Sequence, residues 1–267
     1  MVEIAGKKVL LTGATGGLGR TIASTLAGSG AKLILSARSA EALEELSASL
    51  PGSGHTFLRA DLGSPGAALE MAEAAGDVDI LVANAALPST GRITELTDDQ
   101  VARMLRINLE APILLAQALL PGMLERGRGK LVLIGSLAGK AGSPRSSIYN
   151  ATKFGLRGFA FGLAADLEGS PVGVTLVAPG FVREAGMFAD SGADAPPGLG
   201  TTTPEKVAAA VLKAVDSNRV EIAVAPIVQR TMAHVGLMSP HISHRVQSGS
   251  AGQNAADSLA QGQTDKR

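Results

Sequence analysis

Tyr149 is the only tyrosine in 267 residues, and Lys153 stands four places after it in the stretch IYNATK. Residues spaced i and i+4 share one face of a helix. An ammonium beside a phenol stabilises the phenolate, so the spacing predicts a tyrosine pKa drawn down from about 10 toward neutrality. Such a phenol is a general acid and base. Upstream, in LVLIGSLAG, Ser136 follows an apolar run that reads as a strand, and a hydroxyl at that strand end can orient a substrate oxygen.

A second group of residues suits a phosphate-bearing ligand. The turn TGATGGLG, Thr12 to Gly19, follows the first apolar run and opens a helical pattern. Gly13 permits the tight turn, Gly17 allows backbone to approach a pyrophosphate, and Gly19 brings helix against sheet, while the helix N-terminus offers free amides. Thr15 and Leu18 lie in the same turn. Cofactor choice is set at the end of the second strand, where an acid holds a free ribose hydroxyl and an arginine accepts a 2′-phosphate. Here the strand ends in LSARS, with Ala37 in the acid's place and Arg38 after it. A guanidinium binds phosphate through paired, charge-assisted hydrogen bonds, so the sequence predicts NADP in preference to NAD.

These groups need a frame that brings them to one edge. Short β-branched and leucine-rich runs alternate with alanine-rich stretches at helical spacing, the pattern of βαβ units. Strands are expected at 7–12, 32–37, 55–60, 78–83, 129–135, 172–178 and 220–225. Helices are expected at 17–29, 40–49, 65–75, 97–125, 147–168 and 204–217, the last opened by Thr203 and Pro204. Strands apolar on both faces belong in a parallel sheet between helix layers. The fold class is therefore α/β: a doubly wound, Rossmann-type, seven-stranded parallel sheet in a three-layer α/β/α arrangement. One catalytic domain is expected over 1–246, with 184–203 as a lid loop. The small, polar, aperiodic residues 247–267 are expected to be disordered.

In their order the motifs resemble the short-chain dehydrogenases/reductases, in their compact single-domain form. The resemblance runs from about residue 5 to 225. It rests on Thr12–Gly19, Asp61 after the third strand, Asn84 after the fourth, Asn108 in RINLEAP, Ser136, the Tyr149/Lys153 pair and Pro179–Gly180. It implies hydride transfer between a nicotinamide and a carbonyl or alcohol carbon. Tyr149 would exchange the proton, Ser136 would hold the substrate oxygen, Lys153 would bind the nicotinamide ribose and lower the tyrosine pKa, and Asn108 would support a water-linked relay. The resemblance also places Asp61 and the Leu62 backbone at the adenine, Asn84 at the adenosine ribose, and Pro179, Gly180 and Val182 along the cofactor. It further implies a homodimer or homotetramer.

Two departures stand out. The chain reads ANAA at 83–86, where the family commonly has Asn-Asn-Ala-Gly. Glu184 occupies the position of a family threonine that contacts the nicotinamide amide. A carboxylate accepts from the amide NH₂ but cannot donate to its carbonyl, so Glu184 either makes half of that contact or turns to solvent. Gly13, Gly16 and Gly19 also satisfy the spacing of the longer, sugar-nucleotide-modifying branch, but the chain after the seventh strand is too short for that branch's substrate domain. A competing reading is a catalytically idle NADP-binding redox sensor or scaffold, and Glu184 is its best argument.

Composition narrows the classes. Basic and acidic residues balance at 24 each, which gives no field for nucleic acid or an anionic membrane. There is no cysteine and no signal-like N-terminus, so a cytoplasmic protein without stable membrane insertion is expected. The histidines in HVGLMSPHISH lack metal-ligand spacing, and no metal is expected. The 184–203 loop carries Met187 and Phe188, with no basic residue between Arg183 and Lys206, which points to an uncharged, fairly apolar substrate. Residues 226–246, which mix apolar and cationic groups, suggest either a subunit interface or contact with a membrane surface.

Overall fold

The computed structural model describes residues 4–88, 91–196 and 198–263. Its centre is a seven-stranded sheet: β1 (Lys8–Thr12), β2 (Lys32–Ala37), β3 (Thr56–Arg59), β4 (Ile80–Ala83), β5 (Gly129–Ile134), β6 (Val172–Pro179) and β7 (Glu221–Val224). The spatial order is β3-β2-β1-β4-β5-β6-β7, and every adjacent pair is parallel. The order reverses between β1 and β4, where Leu10 pairs with Leu81. That reversal opens a crevice at the carboxyl ends of the two strands, the place where such sheets bind ligands.

Strand alternation divides the core into two layers. Val9, Leu11, Leu33, Leu35, Ile80 and Val82 face one side, and helices α1 (Gly17–Gly28), α2 (Ala40–Ser49) and α7 (Pro204–Val215) cover them with Ile22, Leu26, Leu43, Val207 and Val211. Leu10, Leu81, Leu131, Leu133 and Leu176 face the other side, under α3 (Ala67–Ala75), α5 (Ala111–Glu125) and α6 (Ser147–Asp166). Both faces are apolar because both are covered. The result is the doubly wound three-layer architecture that the sequence predicts.

The predicted helix over 97–125 is continuous but not uniform. α4 (Asp98–Leu105) passes through a π turn at Arg106–Glu110 before α5 begins. Thr97 starts it with a capping box, its hydroxyl accepting from Gln100 N while Gln100 Oε1 accepts from Thr97 N. The whole span Asp98–Glu125 is long and apolar enough to cross a bilayer by length and composition. Leu115, Leu119 and Met123 are nevertheless buried in the core, which makes it a core helix.

Beyond β7, three more helices depart from the sequence expectation: α8 (Ile227–Met238), α9 (Pro240–Gln247) and α10 (Ser250–Gln261). The tail expected to be disordered is largely α10. Its composition gives it no core of its own, and tertiary contact orders it: Ala256 and Ala260 are buried, and Asp257 pairs with Arg145 at 2.5 Å.

Candidate active site

A cavity of about 1420 Å³ runs along the carboxyl ends of the strands. Of the candidate catalytic and cofactor-binding residues, all line it except Asn108, and Glu184 also stands outside it.

At one end lies the glycine turn. α1 starts at Gly17 with Gly16 as N-cap and no side-chain cap, which leaves its first amides turned toward the cavity. Gly13 has φ +65°, and a Cβ there would lie 2.8 Å from Ala85 Cα, while one on Gly19 would fall 2.1 Å from the Gly13 carbonyl. Side chains are therefore excluded where strand, turn and helix meet. A Cβ on Gly17 would meet Ala185 and Gly186 at 2.9 Å, so the 184–203 loop lies directly across the turn. Asn84 fastens the neighbouring strand end: its Nδ2 donates to the carbonyls of Thr12 and Gly13, both at 3.1 Å. The narrow, side-chain-free cradle at a helix N-terminus fits a pyrophosphate.

Arg38 is exposed at the end of β2 and lines the cavity. Asp61 lies close by, but both its oxygens accept from Arg103 Nη2, at 2.8 and 2.9 Å, and Oδ1 also accepts from Gly63 N at 2.9 Å. Burial works against the charged carboxylate, yet these hydrogen bonds and the nearby Arg38 and Arg103 charges outweigh it and hold its pKa below the usual value. The Asp61 side chain thus braces α4, and the sequence signal did not include Arg103.

At the other end, β5 delivers Ser136, which caps a 3₁₀ turn by accepting from Ala138 N at 3.1 Å. α6 presents Tyr149 and Lys153 on one face. The Tyr149 phenol faces the cavity beside Ser136, whose hydroxyl lowers its pKa. Lys153 is 3% exposed, and its Nζ donates to the Ile134 carbonyl at 3.0 Å and stands 5.6 Å from the Tyr149 ring centre. Here the expected pKa shift is corrected. Burial pushes the Tyr149 phenol above its ordinary value, only partly opposed by the Ser136 hydroxyl, and it pushes Lys153 down to about 8. Burial is the leading cause of both shifts, because it disfavours the charged form of each group.

Asn108 sits 1% exposed in the π turn, behind the cavity wall. Its Oδ1 accepts from Leu87 N at 2.7 Å and its Nδ2 donates to Leu87 O at 2.9 Å. It holds the segment after β4, and the π turn is what aims its amide there.

Glu184 turns outward. Its Oε1 accepts from Arg183 Nε at 2.6 Å, both side chains are more than half exposed, and Glu184 does not line the cavity. Of the two alternatives open from the sequence, the structure has the solvent-facing one.

Sequence reasoning missed the groups that hold the site together. Asn150 is buried beside Tyr149. Its Nδ2 donates to Ala138 O at 2.8 Å and Ala141 O at 3.0 Å, and its Oδ1 accepts from Ser143 N at 3.1 Å and Ser143 Oγ at 3.3 Å. It fixes the loop that follows Ser136. Gln229 of α8 accepts from Phe181 N at 3.2 Å and donates to Gly200 O at 2.7 Å, clamping both ends of the 184–203 loop. Gly180 admits this clamp, since a Cβ there would lie 2.0 Å from Gln229 Oε1. A buried amide leaves no periodic signature, so only its position next to Tyr149 could have drawn attention to Asn150.

A doubly wound sheet with a glycine cradle at its switch point and a serine, tyrosine and lysine at the far end defines a nucleotide-dependent oxidoreductase. The short chain dehydrogenase family model matches residues 7–196. The chain belongs to the short-chain dehydrogenase/reductase family, oxidoreductases that act on CH–OH and C=O groups with a nicotinamide cofactor. Among relatives, Ketoacyl reductase HetN of Nostoc sp. is 34% identical, over 92% of this chain and 90% of its own length. Dehydrogenase/reductase SDR family member 7B of Mus musculus is 40% identical over 66% of this chain and 57% of its own length. Among solved structures, the closed form of serine dehydrogenase complexed with NADP+ superposes with a TM-score of 0.73 and 30% identity, over 83% of this chain and 95% of that one.

Proposed function

We propose that this chain is an NADP(H)-dependent reductase that converts a ketone or aldehyde to an alcohol, with Tyr149 as the general acid. The observation that carries the reading is that Ser136, Tyr149 and a buried Lys153 anchored on Ile134 converge on the cavity that also contains the glycine cradle. A bound nicotinamide supplies the hydride. Ser136 holds the substrate oxygen, and Tyr149, a phenol that burial keeps in its protonated form, gives that oxygen its proton. The Lys153 ammonium steadies the phenolate left behind, and its anchor on Ile134 keeps it within reach.

Preference for NADP is supported by Arg38 on the cavity wall, with Ala37 where an acid would repel a 2′-phosphate. The solved relative bound to NADP+ is consistent with it. The competing expectation of an idle sensor loses its sequence argument, because Glu184 faces solvent. Exposed Phe154 and Phe161 on α6, with Leu105 and Leu124 on the neighbouring helices, support a homodimer or homotetramer built through those helices.

The test is Tyr149→Phe, which removes the proton and keeps the ring. With a panel of ketones and secondary alcohols, turnover should fall about 10²- to 10⁴-fold while NADPH binding persists. Turnover retained in the variant refutes the mechanism.

A further inference from the structure

The end of the cavity away from the glycine cradle is built mostly from chain outside the family match, which stops at residue 196. α8 is seated directly against the catalytic loop. Ala233 packs with Leu137, the residue after Ser136, and a Cβ on Gly236 would lie 2.8 Å from Ala141 Cβ. On the same helix Val228, Met232 and Val235 line the cavity, and α9 adds Ile242. From the opposite side the 184–203 loop contributes Phe188, whose ring centre lies 4.9 Å from that of Phe181. The loop is fixed at both ends by Gln229 and at its middle by Gln263, which donates from Nε2 to Met187 O at 2.8 Å.

This arm carries aliphatic and aromatic side chains that remain substantially exposed: Val228 is 44% exposed, Met232 42%, Val235 41% and Ile242 54%. Apolar groups held open to a cavity gain free energy when an apolar ligand covers them. Charge follows the same division. Among the described lining residues the cations are Arg38, Arg103 and Lys153, and all three belong to the cradle or the catalytic pair rather than to the arm. A ligand ending in a carboxylate or phosphate would find no counter-ion there. The cavity, at about 1420 Å³, also exceeds the roughly 300–1,000 Å³ usual for one small ligand.

We propose that the α8–α9 arm binds an uncharged aliphatic chain on the carbonyl substrate, and that Met232, Val235 and Ile242 set the preferred chain length. This rests on the reductase reading and specifies its substrate class: ketones or aldehydes with a long apolar tail and no terminal charge.

The experiment is a homologous series of methyl ketones, from butanone to 2-dodecanone, assayed with NADPH. Each added methylene should raise kcat/KM about three- to fourfold until the arm is filled. Met232→Asp and Val235→Asp, both at exposed positions, should flatten that rise. In parallel, binding of 2-dodecanol and 2-butanol is measured by calorimetry in the presence of NADP+, which needs no turnover. Reduction of butanone with no gain along the series overturns the arm and leaves the reductase standing. Tighter binding of the long alcohol, weakened by Met232→Asp, with no turnover of any ketone, upholds the arm and overturns the reductase. Equal binding of the two alcohols overturns the arm whatever the turnover.

Discussion

Lys153 Nζ donates to the carbonyl of Ile134 at 3.0 Å while standing 5.6 Å from the centre of the Tyr149 ring. The ammonium is held by the end of β5, the strand that also delivers Ser136, so one sheet edge fixes Lys153 and Ser136 together. The anchoring geometry also keeps Lys153 dry, which is why its pKa falls to about 8.

That pKa gives a pH dependence with two opposite signs. Below about 8 Lys153 is charged and can steady a phenolate, so kcat/KM for carbonyl reduction should fall as pH rises through about 8. Stability should move the other way. The folded state disfavours the charged lysine, so between about 8 and the ordinary value of 10.5 the unfolded chain holds more protons, and stability rises with pH across that window. Lys130, also pushed down to about 8, acts in the same sense. Denaturation midpoints and rates measured in parallel from pH 7 to 10 check both, and parallel trends would contradict the assignment.

Arg38→Ala should lower kcat/KM with NADPH by about ten- to a hundredfold, the worth of charge-assisted bonds to a phosphate, and leave NADH nearly unaffected. Equal losses with both cofactors would mean that Arg38 does not read the 2′-phosphate.

Asn150→Ala removes four hydrogen bonds that hold residues 138–143. Leaving these groups unsatisfied should cost about 1–3 kcal/mol of stability and also reduce kcat, because the loop carries the Ser136 turn. Thermal melts read the first and steady-state kinetics the second. Full activity in a destabilised variant would confine Asn150 to a structural role.

Lys140 is 1% exposed and its Nζ lies 2.6 Å from Glu221 Oε2, while Arg157 Nε reaches Glu221 Oε1 at 3.1 Å. The cluster ties the segment after Ser136 to β7 and α6. Glu221→Ala strands a buried ammonium and should cost about 3–5 kcal/mol. Lys140→Met removes the charge itself and should cost less. Urea unfolding of the two variants compares them, and the reverse order would count against the pairing.

The seven strands and the first seven helices were legible because each carries an apolar face of the right period. β1, β2 and the long helix over 97–125 could be read within a residue or two. The meeting of Ser136, Tyr149 and Lys153 at one cavity was legible because a lone tyrosine with a lysine four residues on is a local pattern. Asn150, Gln229 and Arg103 were not, since their partners lie on other elements and a single amide or guanidinium has no period. α10 was hidden for a related reason: small polar residues gain helical order only from the surface they land on.

Local chemistry in the sequence therefore determined the sheet, its helices, the glycine cradle and the pairing of Tyr149 with Lys153 on one helix face. The tertiary structure alone decided that burial raises the tyrosine's pKa, that Glu184 faces outward, and that the last three helices wall one end of the cavity. Spacing along the chain is set by residue order, whereas desolvation, side-chain direction and the wall of a cavity depend on what distant segments bring into contact.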